Sequence, residues 1–398
     1  MNDYKYFDDL NIELIDGDRG KNYPRNDEMF EKEYCLFLNA KNVTVNGFVF
    51  DENVFITKEK DELLRKGKLN RNDIVLTTRG TIGNVGLYDE SVKYDNVRIN
   101  SGMLIIRNND SNINTKYLYY QLTSPFIRDQ IFSLKTGSAQ PQIPITVLKK
   151  LKLLIPDKNI QGKIVKVMDS VVNKINLNNE INNNLSEQIK SIYNEIFTEF
   201  IDYKRLDEIS NVTIGKTPPR SEQECFTTDK NDVKWISISD LGKSGMFIFD
   251  TSEKLTQEAV DKYNVKVIPK DTVILSFKLT VGRTGFTTED MTTNEAIAHF
   301  DLNNKELNNY LYCTLTYYNY SDLGSTSSIA TAINSKIVKS IKIGIPSDEQ
   351  LNKFNNLTSA MFKTIKNNES ENIKLSELRD TLLPKLMNGE IDLDKIEL

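Results

Sequence analysis

Residues 73–86 read DIVLTTRGTIGNVG. The β-branched run at its start has the composition of a strand, and the glycine pair of TIGNVG (81–86) has the composition of a turn. A turn of the same form, TVGRTG, stands at 280–285 behind the strand-like run TVILSFK (272–278). Alone, such a glycine pair could be a phosphate loop, a nucleic-acid clamp or a turn. Its recurrence 199 residues later is more informative, and it directs the reading toward internal repetition.

Other segments repeat in the same order. DYKYFDDL (3–10) is echoed by DYKRLDEI (202–209), INSGMLIIR (99–107) faces TNEAIAHFD (293–301), and KYLYYQLTS (116–124) faces NYLYCTLTY (309–317). IPITVLKKLKLLIP (143–156) matches INSKIVKSIKIGIP (333–346) at an offset of 190. Chance similarity does not hold order and spacing across five segments, so the chain is a tandem duplication with a boundary near residue 200.

Each half opens with short β-like runs closed by Gly or Pro and ends in a different pattern. From Ile160 through Ile164, Val167, Val171 and Ile175 to Ile189, Ile192 and Ile196 the apolar residues fall mostly three or four apart. That periodicity predicts an amphipathic helix of about 40 residues, about 60 Å long. Its Asn-rich middle, NLNNEINNN (176–184), is a weak helix former and is expected to bend or soften it. A second such stretch follows Pro346, with Pro384 inside the pattern, where a helix is expected to end or kink. A long single stripe needs a long partner, so the two helices are read as a coiled-coil pair carrying the β-rich domains. The alternative is that each helix lies flat on its own domain. The expected boundaries are a first domain at 1–157, a helix at 158–199, a second domain at 200–346, a helix at 347–388 and an acidic tail at 389–398.

Composition narrows the function. A chain of 398 residues with 39% hydrophobic and 27% charged content suits two globular domains. No run is apolar enough to span a membrane, no secretory leader is visible, and three scattered cysteines fit a reducing, cytoplasmic compartment. The net charge of −5 argues against nucleic acid, but it is unevenly spread. Residues 1–59 carry 7 Lys+Arg against 13 Asp+Glu, whereas residues 60–150 carry 14 against 8. A basic stretch beside an acidic one is compatible with a DNA-facing surface.

Catalytic motifs fail on inspection. SNVTIGKT (210–217) resembles a phosphate loop, but Ser210 stands where the first glycine is needed and Pro218–Pro219 follow at once. GNVG and GRTG have the form of the KH-domain clamp, yet their flanks are strand-like, which favours a hairpin turn. Dinucleotide and S-adenosylmethionine loops and Asn-Pro-Pro-Tyr boxes are missing, and Pro156–Asp157 lacks the Glu-x-Lys of a nuclease. His299, in the apolar context AIAHF, is read as a core residue, and with one histidine neither a zinc site nor a Cys–His nucleophile is expected. No catalytic residue, cofactor site or metal site is assigned.

Together these residues resemble the specificity (S) subunits of type I restriction-modification systems. The likeness spans essentially the whole chain: IDGDRGKNYP (15–24), DIVLTTRGTIGNVG (73–86) and TGSAQPQIP (136–144) in the first half; IGKTPP (214–219), KWISISDL (234–241) and LRDTLLPKLMNGEIDL (378–393) in the second. The resemblance implies an α+β chain with two target recognition domains, each reading half of a split double-stranded DNA site. It implies that the two helices form an antiparallel coiled coil that fixes the half-site spacing and docks two methyltransferase subunits, with two endonuclease/translocase subunits in the full complex. S-adenosylmethionine, ATP and Mg²⁺ then belong to those partners, and the chain itself is non-catalytic.

Candidate DNA contacts follow from side-chain chemistry, since Arg and Asn can reach guanine and adenine edges or phosphates. In the paired hairpins they are Arg79, Thr81 and Asn84, and Lys278, Thr280 and Arg283. A second paired polar loop offers Lys135, Ser138, Gln140 and Gln142 in the first half and Ser325, Ser327 and Thr331 in the second. Lys216, Arg19 and Arg25 complete the set. The differing pairs Asn84–Val85 and Arg283–Thr284 are the expected base-choosing positions, and because the first half lacks a GKTPP-like loop, no contact there is expected to transfer between halves.

Overall fold

The computed structural model describes residues 4–133, 142–200, 202–323 and 333–391. The chain divides into two units, one of residues 1–174 and 375–398, the other of residues 175–374.

In the first unit a four-stranded antiparallel sheet has the order Ile12–Asp16, Met103–Asn108, Asp73–Thr77, Val85–Tyr88. Its central strands are apolar on both faces because both faces are covered. Ile74, Leu76, Leu104 and Ile106 meet Leu118, Leu122, Ile127 and Ile131 of helices Thr115–Thr123 and Pro125–Ser133. Val75, Met103 and Ile105 point the other way, onto Leu36, Leu38, Val97 and Ile99 of a three-stranded sheet. The period-2 alternation thus sorts one strand between two cores. At the edge of the unit Tyr4–Tyr6 pairs with Lys152–Leu154.

The second unit repeats the plan. Its five-stranded sheet runs Ser210–Ile214, Ile297–Leu302, Val273–Ser276, Thr284–Thr287, Phe247–Ile248. Val273, Leu275, Ala298 and Phe300 pack on Leu311 and Leu315 of helix Asn308–Tyr317, while Ile274 and Ile297 join Ile236, Leu241 and Met291 on the opposite face. Asp202–Arg205 pairs with Lys342–Ile345, as Tyr4–Tyr6 does with Lys152–Leu154.

The two long helices are Lys158–Ile196 and Asp348–Met387. Within the second unit Asn178 bonds to Glu371 and Asn372, Asn182 to Asn368, and the Ile196 carbonyl to Gln350. Partner numbers fall as helix numbers rise, so the helices run antiparallel there. Ile189, Phe354, Phe362 and Ile365 share one core with the strand residues, so the pair also lies on its domain. Within the first unit Ile164, Val165, Val167 and Met168 pack with Leu383, Leu386 and Met387. Both expected arrangements, helix on helix and helix on domain, are therefore present in the same elements.

Two sequence features of the helices meet their surroundings here. The Asn-rich middle lies inside one continuous helix, Lys158–Ile196, where Asn178 and Asn182 are bonded to the second helix. Of the end or kink expected at Pro384, the end does not occur, since the second helix runs on to Met387. Proline inside a helix costs about 3 kcal/mol, but burying Leu383, Leu386 and Met387 contributes about 1.5–3 kcal/mol each, so packing outweighs it. The helix ends instead at Gly389, whose φ of +71° is the left-handed C-terminal conformation glycine favours.

Candidate nucleic-acid interface

The glycine-pair segments are hairpin loops joining Asp73–Thr77 to Val85–Tyr88 and Val273–Ser276 to Thr284–Thr287. They share a set of hydrogen bonds. In the first, the Thr77 hydroxyl donates to the Thr81 carbonyl and accepts from the Asn84 N–H at 3.0 Å, and the Gly83 N–H reaches the Thr77 carbonyl at 3.0 Å. In the second, the Ser276 hydroxyl donates to the Thr280 carbonyl at 2.5 Å and accepts from the Arg283 N–H at 3.1 Å, and the Gly282 N–H reaches Ser276 at 3.0 Å. Gly83 and Gly282 have φ of +90° and +95°, so these glycines make the turn.

Each hairpin meets two further segments at one end of its sheet. The Thr78 N–H bonds to the Gly102 carbonyl at 2.8 Å, and the Phe277 N–H to the Ala296 carbonyl at 2.9 Å. Against the same turn lies a glycine with no room for a side chain: a Cβ on Gly17 would run into the Asn100 carbonyl, and one on Gly215 into the Thr293 and Asn294 carbonyls. IDGDRG and IGKTPP, unlike in sequence, therefore occupy equivalent places in the two halves. Arg19 and Thr217 hold equivalent positions. The Arg19 guanidinium bonds to the Ser101 carbonyl at 3.3 Å and pairs with Asp16 at 3.2 Å, and the Thr217 hydroxyl bonds to Glu295.

Side chains at this end differ in charge and reach. Arg79 is exposed and donates through Nη2 to Gln142 Oε1 at 2.9 Å, so two of the sequence candidates are brought together. Its acceptor is a neutral amide, which leaves the guanidinium charge uncompensated by any carboxylate contact among the described residues. Lys278 and Thr280 are exposed at the second tip, with the Lys278 ammonium 5.6 Å from the Phe277 ring centre. Lys216 donates to the Tyr263 carbonyl at 2.6 Å, and Thr81 donates to the Ala40 carbonyl at 3.3 Å. Burial raises the Glu295 carboxyl, but the Thr217 hydroxyl, its own backbone and the fields of Lys278 and Arg220 outweigh that and hold it below the usual range. Glu295 thus stays ionised beside two cations.

Two candidates turn inward. Asn84 donates to the Val43 carbonyl at 2.8 Å, and Arg283 donates to the Ile238 carbonyl at 3.0 Å while filling the space above Gly242. Asn84 and Arg283, the first residues of the two expected base-choosing pairs, thus hold the loops to the domains. Arg25 sits at a one-turn helix start, its N–H capped by Glu28 at 2.9 Å. Lys135, Ser138, Gln140, Ser325, Ser327 and Thr331 lie outside the described residues, as does the tail beyond Ile391. Sequence reasoning passed over Leu279, which is 91% exposed at the second tip. The signal was available, because the 199-residue offset sets it opposite Gly80.

The other chemical suspects are structural. His299 is buried between the Thr213 and Thr293 hydroxyls, at 2.9 and 2.6 Å, and burial pushes its pKa down to about 3. Ser210–Ile214 is an edge strand with no phosphate loop. Cys35, Cys225 and Cys313 are free and buried, and burial pushes the Cys35 thiol up to about 12. Among the described residues no His/Cys/Asp/Glu group could hold a metal, and no helix is long and apolar enough to cross a membrane.

Comparison with known proteins places this architecture. The HindI type I restriction enzyme specificity subunit of Haemophilus influenzae is 23% identical, with 94% of this chain and 98% of that protein aligned. The MjaIX specificity subunit of Methanocaldococcus jannaschii is 24% identical over 82% of this chain and 79% of that protein. Among solved structures, the type I restriction-modification S subunit from M. genitalium superposes with a TM-score of 0.54 at 16% identity, covering 96% of this chain and 95% of that one, which shows a shared fold. The profile of the family described as type I restriction modification DNA specificity domain matches residues 18–187 and again 200–378, and the chain belongs to that family, with one specificity domain in each half.

Proposed function

We propose that the specificity role that comes with this family is carried by the hairpin ends of the two domains, each reading one half of a bipartite duplex target. What carries the reading is one three-segment end built twice on the same hydrogen bonds, with tips that differ: Arg79–Gly80–Thr81 against Lys278–Leu279–Thr280. A shared frame with unlike tips suits two different half-sites. Arg79, with Gln142 beside it, and Lys278 are the leading contacts. Arg19, Lys216, Thr81 and Thr280 flank them. The helix pair sets the half-site spacing and docks two methyltransferase subunits, and two endonuclease/translocase subunits complete the assembly. The chain acts without catalysis of its own, in the cytoplasm. S-adenosylmethionine, ATP and Mg²⁺ serve the partner subunits.

Methylation mapping of DNA from cells expressing the chain with its cognate methyltransferase tests this. The expected result is one bipartite motif with a fixed gap. Shortening both helices by a matched heptad, about 10 Å, should shorten that gap by about three base pairs. Methylation with no motif, or a gap unchanged by the deletion, would overturn the respective part.

A further inference from the structure

Leu279 carries two features that packing within the domain does not explain. It is 91% exposed, and its φ is +63°, a conformation that costs a side-chain-bearing residue and that Gly80 adopts at the equivalent place with φ of +72°. The Thr280 N–H closes on the Lys278 carbonyl at 2.7 Å, so Leu279 is the centre of a three-residue γ-turn, and the form with positive φ at its centre is the rare, strained one. The loop around it is anchored by Ser276 to Thr280, by Gly282 to Ser276, and by the Tyr320 ring, which would lie 3.1 Å from a Cβ on Gly282. A firmly held turn therefore projects an isobutyl group into solvent between exposed Lys278 and Thr280.

We propose that Leu279 is a specificity-determining residue: it reads a thymine of the second half-site by apolar contact with its C5 methyl in the major groove. The inference rests on the DNA-reading function above and adds the chemistry of one contact. Of the groups that duplex DNA presents in its grooves, the thymine methyl is the apolar one, and a leucine has no hydrogen-bonding atom with which to read any other. Lys278, one residue away, is placed to take the adjacent phosphate and set the depth of entry. In the first domain Gly80 holds the equivalent place with the same sign of φ and no side chain, so the corresponding position there reads no methyl.

The test uses the full chain with its methyltransferase subunit and a duplex carrying the mapped target. Each thymine of the second half-site, on either strand, is replaced in turn by deoxyuridine, which removes only the methyl. At one position the wild-type complex should bind about fourfold more weakly, the ratio equivalent to about 0.8 kcal/mol for one buried methyl-sized group. Leu279→Gly should bind the unmodified duplex more weakly and be indifferent to deoxyuridine at that position. Its unfolding midpoint, followed by tryptophan fluorescence, should equal or exceed that of the wild type, since glycine accepts the positive φ. Indifference of the wild type at every thymine, a half-site without thymine, or sensitivity retained in the glycine variant would each overturn the proposal. Failure of the wild-type complex to prefer the mapped target at all would instead overturn the DNA-reading function on which it rests.

Discussion

Glu369 gives the most direct test of how a helix holds its domain. It projects from the second long helix, and its two carboxylate oxygens accept from the Met246 and Phe247 N–H groups at 2.8 and 2.9 Å, capping the strand Phe247–Ile248. Gly245 permits the approach, since a Cβ there would run into the carboxylate. Burial raises the Glu369 carboxyl above the usual range, and the two N–H bonds only partly oppose it. Each hydrogen bond to a charged acceptor is worth about 1.5–3 kcal/mol, and removing the acceptor strands two buried donors. Relief of the buried charge offsets part of this, so Glu369→Ala should destabilise the second unit by about 2–3 kcal/mol. Glu369→Gln keeps one acceptor and turns an NH₂ against the other donor, so it should fall between alanine and wild type. Because the folded carboxyl is raised above its unfolded value of 4.5, the fold binds the extra proton, and stability should decline as pH rises through the folded pKa. The glutamine variant should lack that decline. Trp235 is the single tryptophan and lies buried in the second unit, so its fluorescence in urea reports that unit alone. At about 2–3 kcal/mol per molar urea the alanine midpoint should drop by about 1 M. An alanine variant with the wild-type midpoint would refute the reasoning, because the two N–H groups would then have found water without loss.

Arg98 and Lys68 together hold the buried Asp61, and Arg98 also donates to the Asp61, Leu64 and Lys66 carbonyls; Arg98→Ala should cost about 3–4 kcal/mol, read as lost amide-exchange protection over residues 58–64. His299 stays neutral in the fold down to about pH 3 while the unfolded chain binds its proton below about 6.5, so stability should fall as pH drops through that window, by at most about 1.4 kcal/mol per unit, and His299→Gln should flatten the slope seen by Trp235. Arg79→Ala and Lys278→Ala should each lower the salt dependence of DNA binding by about one counterion with little effect on stability, whereas Arg283→Ala should lower the Trp235 urea midpoint by freeing the Ile238 carbonyl.

The contrast between Lys278 and Arg283 shows what the residues alone could and could not say. The repeat, the strands of each half and both long helices follow from spacing, because a strand or helix pattern fixes which face a residue occupies. The hairpins follow from glycines that need positive φ. Loop side chains obey no such period. Arg283 looks outward-facing in sequence and turns inward because Gly242 leaves space for a guanidinium and Ile238 offers it a carbonyl, both of them some 40 residues away. The equivalence of IDGDRG and IGKTPP was hidden for a related reason: what the two share is one glycine pressed against a backbone carbonyl, while the neighbouring side chains differ. The helix continues past Pro384 for a reason local propensity cannot show, namely that Leu383, Leu386 and Met387 find partners on a helix more than 200 residues earlier.

The Asn-rich stretch of the first helix makes the same point with a functional edge. Asparagine is a poor helix former, and on propensity alone the segment 176–184 should fray. Instead Asn178 is buried and donates to both Glu371 and Asn372, Asn372 donates back to Asn179 at 2.8 Å, and Asn368 donates to Asn182 at 2.9 Å. A leucine seam would be more stable, but sliding it along the helix axis leaves hydrophobic contact at every step. An amide ladder has no such tolerance: displacing one helix by a residue breaks these bonds together and leaves buried polar groups without partners, each worth about 1–3 kcal/mol. Polar residues in a helix seam are best attested as devices of this kind, giving up stability for register. For a helix pair proposed to fix a gap in base pairs, a register error is a specificity error, and a seam that resists slipping is worth more to the function than one that resists melting.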